Sequence, residues 1–232
     1  TQGVSSAASD VYKRQISYYL NSHHIDICAW IAGKSSRPTK VTAFAAMGAA
    51  NKYLNVSDRK IEDTITLTTE WENKEDGSKG IGIYTASWIA PKSDSHTQQN
   101  FHYCGQNGEI RVNQARRGYE MAMDDEQRPF ANLNPLYMKY TPGKDGYFSG
   151  QNGYGYRSIE RFVEVCQQMN DGKITKEDVE NMGDLATIES SARVTAILEA
   201  GRLSLDNSSR GVELVYDKSA PFESEPTALR LF

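Results

Sequence analysis

The sequence predicts an α+β fold in which a large, mostly antiparallel open sheet carries helices on one face. Three observations predict it. Apolar residues recur at helical spacing from Leu20 to Ala32 and stop at Gly33. Five segments of β character then follow between Lys40 and Asn113, punctuated by Asn, Asp and Gly. Helical spacing returns in 156–169 and 185–204, before a short terminal strand over 211–215.

In the first helix Leu20, Ile25, Ile27, Cys28, Trp30 and Ile31 interleave with Asn21, His23, His24 and Asp26, and Gly33 supplies the stop before the turn-rich Lys34–Pro38. The β segments are 40–47, 63–71, 81–88, 100–104 and 109–113. Alternation is clearest in Thr64-Ile65-Thr66-Leu67-Thr68, where Ile and Leu face one side and three Thr the other, so the sheet has one buried and one polar face. Asn73–Gly77 and Gln106-Asn107-Gly108 carry hairpin-loop chemistry, which makes neighbouring strands antiparallel. From Phe130 to Gly155 the abundance of Asn, Pro, Gly and Tyr predicts a long irregular excursion. The 156–169 helix uses Ile159, Phe162, Val163, Cys166 and Met169 and ends at Asp171-Gly172; the last helix uses Leu185, Ile188, Ala192, Val194, Ile197, Leu198 and Leu203. No internal repeat or low-complexity tract interrupts the chain, so residues 16–232 are expected to form one domain.

Composition narrows the partners. A net charge of -4 with 24% charged residues and no basic cluster offers no electrostatic footprint for nucleic acid or an anionic membrane surface. No apolar run approaches the roughly 20 residues that span a bilayer. Cys28, Cys104 and Cys166 are odd in number and far apart, which fits neither a disulfide framework nor a C-x-x-C zinc cluster, and a cytoplasmic, reducing location is expected. Residues 5–15, SSAASDVYKRQ, resemble the translation of a transposase sequencing-library adapter. Residues 1–15 are therefore expected to be non-native, with native sequence beginning near Ile16.

Few residues are suited to chemistry. His23 and Asp26, three apart on the first helix, project from one face, where His transfers protons near neutral pH and Asp orients or stabilises it. The same pair also reads as structural hydrogen bonding. His24 points about 100° away. A metal held by His23, His24 and Asp26 has poor spacing, because helical zinc ligands prefer i and i+4. His96 and His102 have no carboxylate or thiol at the usual metal spacing, and no metal is expected. Gly150–Gly155 and Gly77–Gly82 reverse the order of the dinucleotide fingerprint and read as turns outside any βαβ unit. No P-loop, nucleophile elbow or H-E-x-x-H is present.

The run from Tyr18 to Gly33, YYLNSHHIDICAWIAG, resembles the segment H-x-x-D-x-x-x-W-x-x-G of the glucose-fructose oxidoreductase, inositol dehydrogenase and rhizopine-catabolism (Gfo/Idh/MocA) family. Further matches are Glu62-Asp63, Gly105-x-x-Gly108-Glu109-Ile110-x-Val112, Ala186-Thr187-Ile188-Glu189, Glu199-Ala200 to Ser204, and Gly211-Val212-Glu213-Leu214; in order they cover most of Ile16 to Leu214. The resemblance implies the C-terminal substrate-binding domain of an oxidoreductase whose open sheet makes subunit contacts, giving a homo-oligomer. It also implies an N-terminal Rossmann domain that binds NAD or NADP and supplies an E-K-P lysine, neither of which is in this sequence. By position His23 is the acid/base for a sugar or polyol hydroxyl, and Tyr19 stands where the family has the Asp that partners it. Tyr19, Asn21 and Asp26 are implied substrate contacts, with Tyr154, Tyr156 and Arg157 lining the same pocket. The alternative is a stand-alone, non-catalytic sugar-binding or dimerisation module.

Overall fold

The computed structural model describes residues 16–55, 57, 61–89, 99–113, 118–124, 130–133, 139–142, 145–152 and 154–232. Residues 1–15 and His96 lie outside them. In chain order, a π-helical turn Ser17–Asn21 leads into α1 (Ser22–Ala32), β1 (Ser36–Met47), α2 (Ala49–Leu54), β2 (Glu62–Asn73) and β3 (Lys79–Ser87). Six short strands follow: β4 (Asn100–Gly105), β5 (Gly108–Asn113), β6 (Gly118–Met123), β7 (Phe130–Leu133), β8 (Lys139–Pro142) and β9 (Phe148–Asn152). The chain closes with α3 (Tyr154–Asn170), α4 (Lys176–Met182), α5 (Ile188–Asp206), β10 (Val212–Val215) and β11 (Ala228–Leu231). Residues 16–232, expected as one domain, comprise two compact units: the described residues up to 89 together with Ala186–Phe232, and those from 99 to Leu185.

The first unit is an antiparallel sheet in the order β11-β10-β1-β2-β3. Alternation decides which side is buried. Val41, Ala43, Ile65, Leu67, Tyr84, Ala86, Val212 and Leu214 meet Ile25 and Ala29 of α1 and Val194, Ile197, Leu198 and Ala200 of α5 in one core. Gly201 permits this approach of α5, since a Cβ there would lie 2.4 Å from Leu67 Cδ2. Ser204 Oγ accepts from the Ala43 N–H at 3.0 Å. The opposite face is a ladder of Thr64, Thr66 and Thr68 flanked by Phe44, Ile81 and Ile83, each of these three more than 60% exposed. The mostly antiparallel open sheet with helices against one face is therefore present. Among the described residues no helix is long and apolar enough to cross a membrane.

Gly33 ends α1 with φ 52° while its N–H donates to the Ala29 carbonyl at 2.9 Å, the stop its lack of a Cβ makes inexpensive. The Asn73–Gly77 turn forms the β2–β3 hairpin, with the Asn73 N–H donating to Ser78 O at 2.8 Å. Arg193, buried in α5, donates to the carbonyls of Gly33 (2.8 Å), Ser36 (3.4 Å) and Glu223 (3.1 Å), tying the end of α1, the start of β1 and the C-terminal loop together.

The second unit contains the antiparallel meander β4-β5-β6-β7 and the β8–β9 hairpin. The Gln106-Asn107 turn joins β4 to β5 as its chemistry predicts. The excursion expected over 130–155 is not wholly irregular, because β7, β8 and β9 lie within it. Strands of four or five residues between Pro, Asn and Gly are too short to display alternation. The Gly150–Gly155 run likewise lies where β9 ends and α3 begins, but β9 pairs antiparallel with β8 in a separate two-stranded sheet, so no βαβ unit forms. Helix α4 has a local signal the periodicity reading passes over: Thr175 and Asp178 form a capping box, each side chain binding the other's backbone N–H.

Candidate functional site

The segment carrying His23 sits on the sheet through a stripe four residues apart: Asn21, Ile25 and Ala29 are buried. The other side of the segment faces outward. A π turn widens the helix by one residue per turn, so the register of 17–21 differs from that of α1. Tyr19, His23, Asp26, Ile27 and Trp30 are all exposed, and Ile16 anchors the start of the segment at 1% exposure.

Tyr19 is held by stacking on Trp88, with ring centroids 5.8 Å apart and planes 20° from parallel. Trp88 follows β3, where its N–H donates to Asp63 O at 2.9 Å. Asp63 is itself fixed, its carboxylate accepting from the Ala49 and Ala50 N–H groups at 2.8 and 2.5 Å. His23 thus lies four residues from an immobilised phenol and three from the Asp26 carboxylate, with Ile27 and Ile89 also exposed in this unit. His23 and Asp26 are not joined by a hydrogen bond or ion pair among the described residues, so this pair is not a structural hydrogen bond.

The two histidines have different environments. His24 is half-buried, and burial, with His23 adding to it, holds its imidazole below the ordinary histidine range. Asn21 does not share the exposed surface: it is 2% exposed, and its Nδ2 donates to Ser17 Oγ at 3.1 Å and Tyr84 O at 3.4 Å. Beside it, the Tyr18 hydroxyl donates to Glu199, whose carboxylate also accepts from Arg202 Nε at 3.1 Å. Burial foremost, then Glu199, push the Tyr18 phenol far above its usual range, so it serves as a fixed neutral donor. No local pattern marks Tyr18 and Glu199 as partners, because 181 positions separate them.

Tyr156 and Arg157 belong to the second unit, on the first turn of α3. Tyr156 donates to Glu160 Oε1 at 3.3 Å and Arg157 pairs with Glu160 Oε2 at 2.5 Å. The Tyr154 side chain lies outside the described residues. His102, read as having no carboxylate or thiol at the usual metal spacing, is exposed on β4 with Cys104 Sγ and Glu109 Oε2 3.1 and 2.8 Å from its Nε2. Helical spacing rules could not find these neighbours, whereas strand period two and a two-residue turn do.

The fold and this segment define an α+β sheet protein that carries an exposed histidine on a helix packed against its sheet. No known protein family matches the chain, and no curated protein matches it.

Proposed function

We propose that the chain is the substrate-binding part of an NAD(P)-dependent oxidoreductase of the Gfo/Idh/MocA type, acting on a sugar, polyol or related hydroxyl compound by hydride transfer. The observation that carries this reading is His23 standing exposed in the register of H-x-x-D-x-x-x-W-x-x-G, in a unit where Tyr19, Ile27, Trp88 and Ile89 are also more than 40% exposed. Apolar side chains left open around a titratable group suit a surface that a second domain covers when substrate binds.

Among the described residues neither glycine run follows a strand and opens a helix within a βαβ unit, which supports assigning the dinucleotide to another domain. NAD or NADP would belong to a separate domain, and this chain's contribution is confined to proton handling and substrate contact. His23 would take the proton of the substrate hydroxyl while an oxidised nicotinamide held by that separate domain would accept the hydride, and would return the proton in the reductive direction. Tyr19 donates from its hydroxyl to substrate or imidazole, and Asp26 accepts from a neighbouring substrate hydroxyl or stabilises the charged imidazole.

Titration with NADH tests the division of labour: no change in nicotinamide fluorescence is expected with this chain alone up to about 1 mM, and tight binding overturns it. The gene's reading frame around these residues tests the class. A strand-Gly-x-Gly-x-x-Gly-helix segment and an E-K-P upstream of Ile16 support the enzyme, whereas an initiator Met just before Ile16 leaves the stand-alone module.

The same reading makes the Thr-rich sheet face a subunit contact, with Phe44, Ile81 and Ile83 as apolar anchors in a polar surround. Sedimentation at micromolar concentration should report a homo-oligomer that Phe44→Asp dissociates. A wild-type monomer, or an oligomer indifferent to F44D, removes the sheet from the interface.

A further inference from the structure

The β4–β5 hairpin gathers three different metal-ligand types on one face. Strand period two places His102 and Cys104 on the same side of β4, and the register sets Glu109 opposite Cys104 and Arg111 opposite His102. His102 Nε2 lies 2.8 Å from Glu109 Oε2 and 3.1 Å from Cys104 Sγ, and Sγ lies 4.0 Å from the same carboxylate oxygen. A triangle with these sides has its equidistant point about 2.0 Å from each corner. Zinc bonds to nitrogen, oxygen and thiolate run from about 2.0 to 2.3 Å. A cation set slightly off the plane of the three atoms therefore meets all of them with small side-chain adjustments.

We propose that this hairpin carries a site for one divalent cation of the borderline-soft Zn²⁺ class, held by His102 Nε2, Cys104 Sγ and a Glu109 carboxylate oxygen. It uses residues other than those of the hydride-transfer reading and does not depend on it. The donor set argues the class: thiolate and imidazole favour Zn²⁺ over Mg²⁺ or Ca²⁺, which take oxygen ligands. Convergence argues for a metal over a proton relay. Both thiol and carboxylate approach the same ring nitrogen, whereas a thiol–imidazole–carboxylate relay needs the two partners on opposite nitrogens. Cys104 and Glu109 also border a hollow of ≈ 480 Å³ together with Gln106, Met123 and Asp124.

Arg111 is the competitor. Its Nε lies 3.4 Å from His102 Nε2 and a terminal nitrogen 3.1 Å from Glu109 Oε2. The side chain is 59% exposed, so it swings into solvent when a cation takes its place.

The purified chain, kept reduced, is titrated with Co²⁺ and then back-titrated with Zn²⁺. One equivalent of Co²⁺ should produce a thiolate-to-cobalt charge-transfer band that Zn²⁺ abolishes. Cys104→Ala should remove the band, His102→Ala should weaken binding by roughly 10-fold or more, and Arg111→Gln should tighten it. The Cys28→Ala/Cys166→Ala double variant should retain the band. Far-UV circular dichroism verifies that each variant is folded, and a variant that is not is replaced by Cys104→Ser or His102→Gln. No band at about 1 mM Co²⁺, a band that survives loss of Cys104, or affinity unchanged by Arg111→Gln overturns the site.

Discussion

Under the proposed function, replacing His23 by Ala should lower turnover of a hydroxyl substrate by roughly 100-fold, the usual effect of removing a positioned general acid/base. His24→Ala should change turnover by no more than about threefold. The difference follows from placement: His23 is exposed, whereas His24 is half-buried, and burial lowers its imidazole pKa. Steady-state rates and melting temperatures of both variants separate catalysis from packing. Equal rate losses mean that the H-x-x-D register is misassigned, and a fall in melting temperature without a rate effect makes His23 structural. Tyr19→Phe keeps the stack on Trp88 but removes the hydroxyl, so a moderate loss of rate assigns that hydroxyl to the reaction.

Arg193→Met should destabilise the first unit by about 3 kcal/mol, read as a lower urea midpoint at unchanged slope. The guanidinium is the shared donor for three carbonyls from separate parts of the chain, and Met fills the space without donating. Glu225 is the control. Its carboxylate is 3.8 Å from Arg193, and burial raises its carboxyl above the usual range despite that neighbour. A raised carboxyl pKa means that the ionised form opposes folding as pH rises through it, so Glu225→Gln should be neutral or stabilising at pH 7. If E225Q costs as much as R193M, the ion pair rather than the carbonyl clamp holds this corner.

The legible parts of the molecule are those whose cause is local. Gly33 reads as a stop because only its own backbone must turn left-handed. Thr64–Thr68 reads as a half-buried strand because each side chain's face is set by its neighbour's. Edge strand β11 escapes notice because its four residues gain their pairing only from β10. Asn21 shows the limit at the site itself: it is two residues from His23 and chemically suited to a substrate, yet its amide points into the core at Ser17 and the Tyr84 carbonyl. The π turn that sets its direction is an extra residue in the helical register, which a fixed 3.6-residue period cannot register.

Sequence by itself determined the α+β class, the helix bearing His23, the hairpin turns and the two-faced character of β2, since these follow from backbone preferences and apolar periods within a few residues. Tertiary structure alone decided that Arg193 is buried as a clamp, that Tyr18 meets Glu199, that His102, Cys104 and Glu109 converge, and that the described chain divides into two units. Each of these depends on the register between segments that are not contiguous, and that register is set by the packing and hydrogen-bond energy of the whole core, to which any local stretch contributes only a fraction.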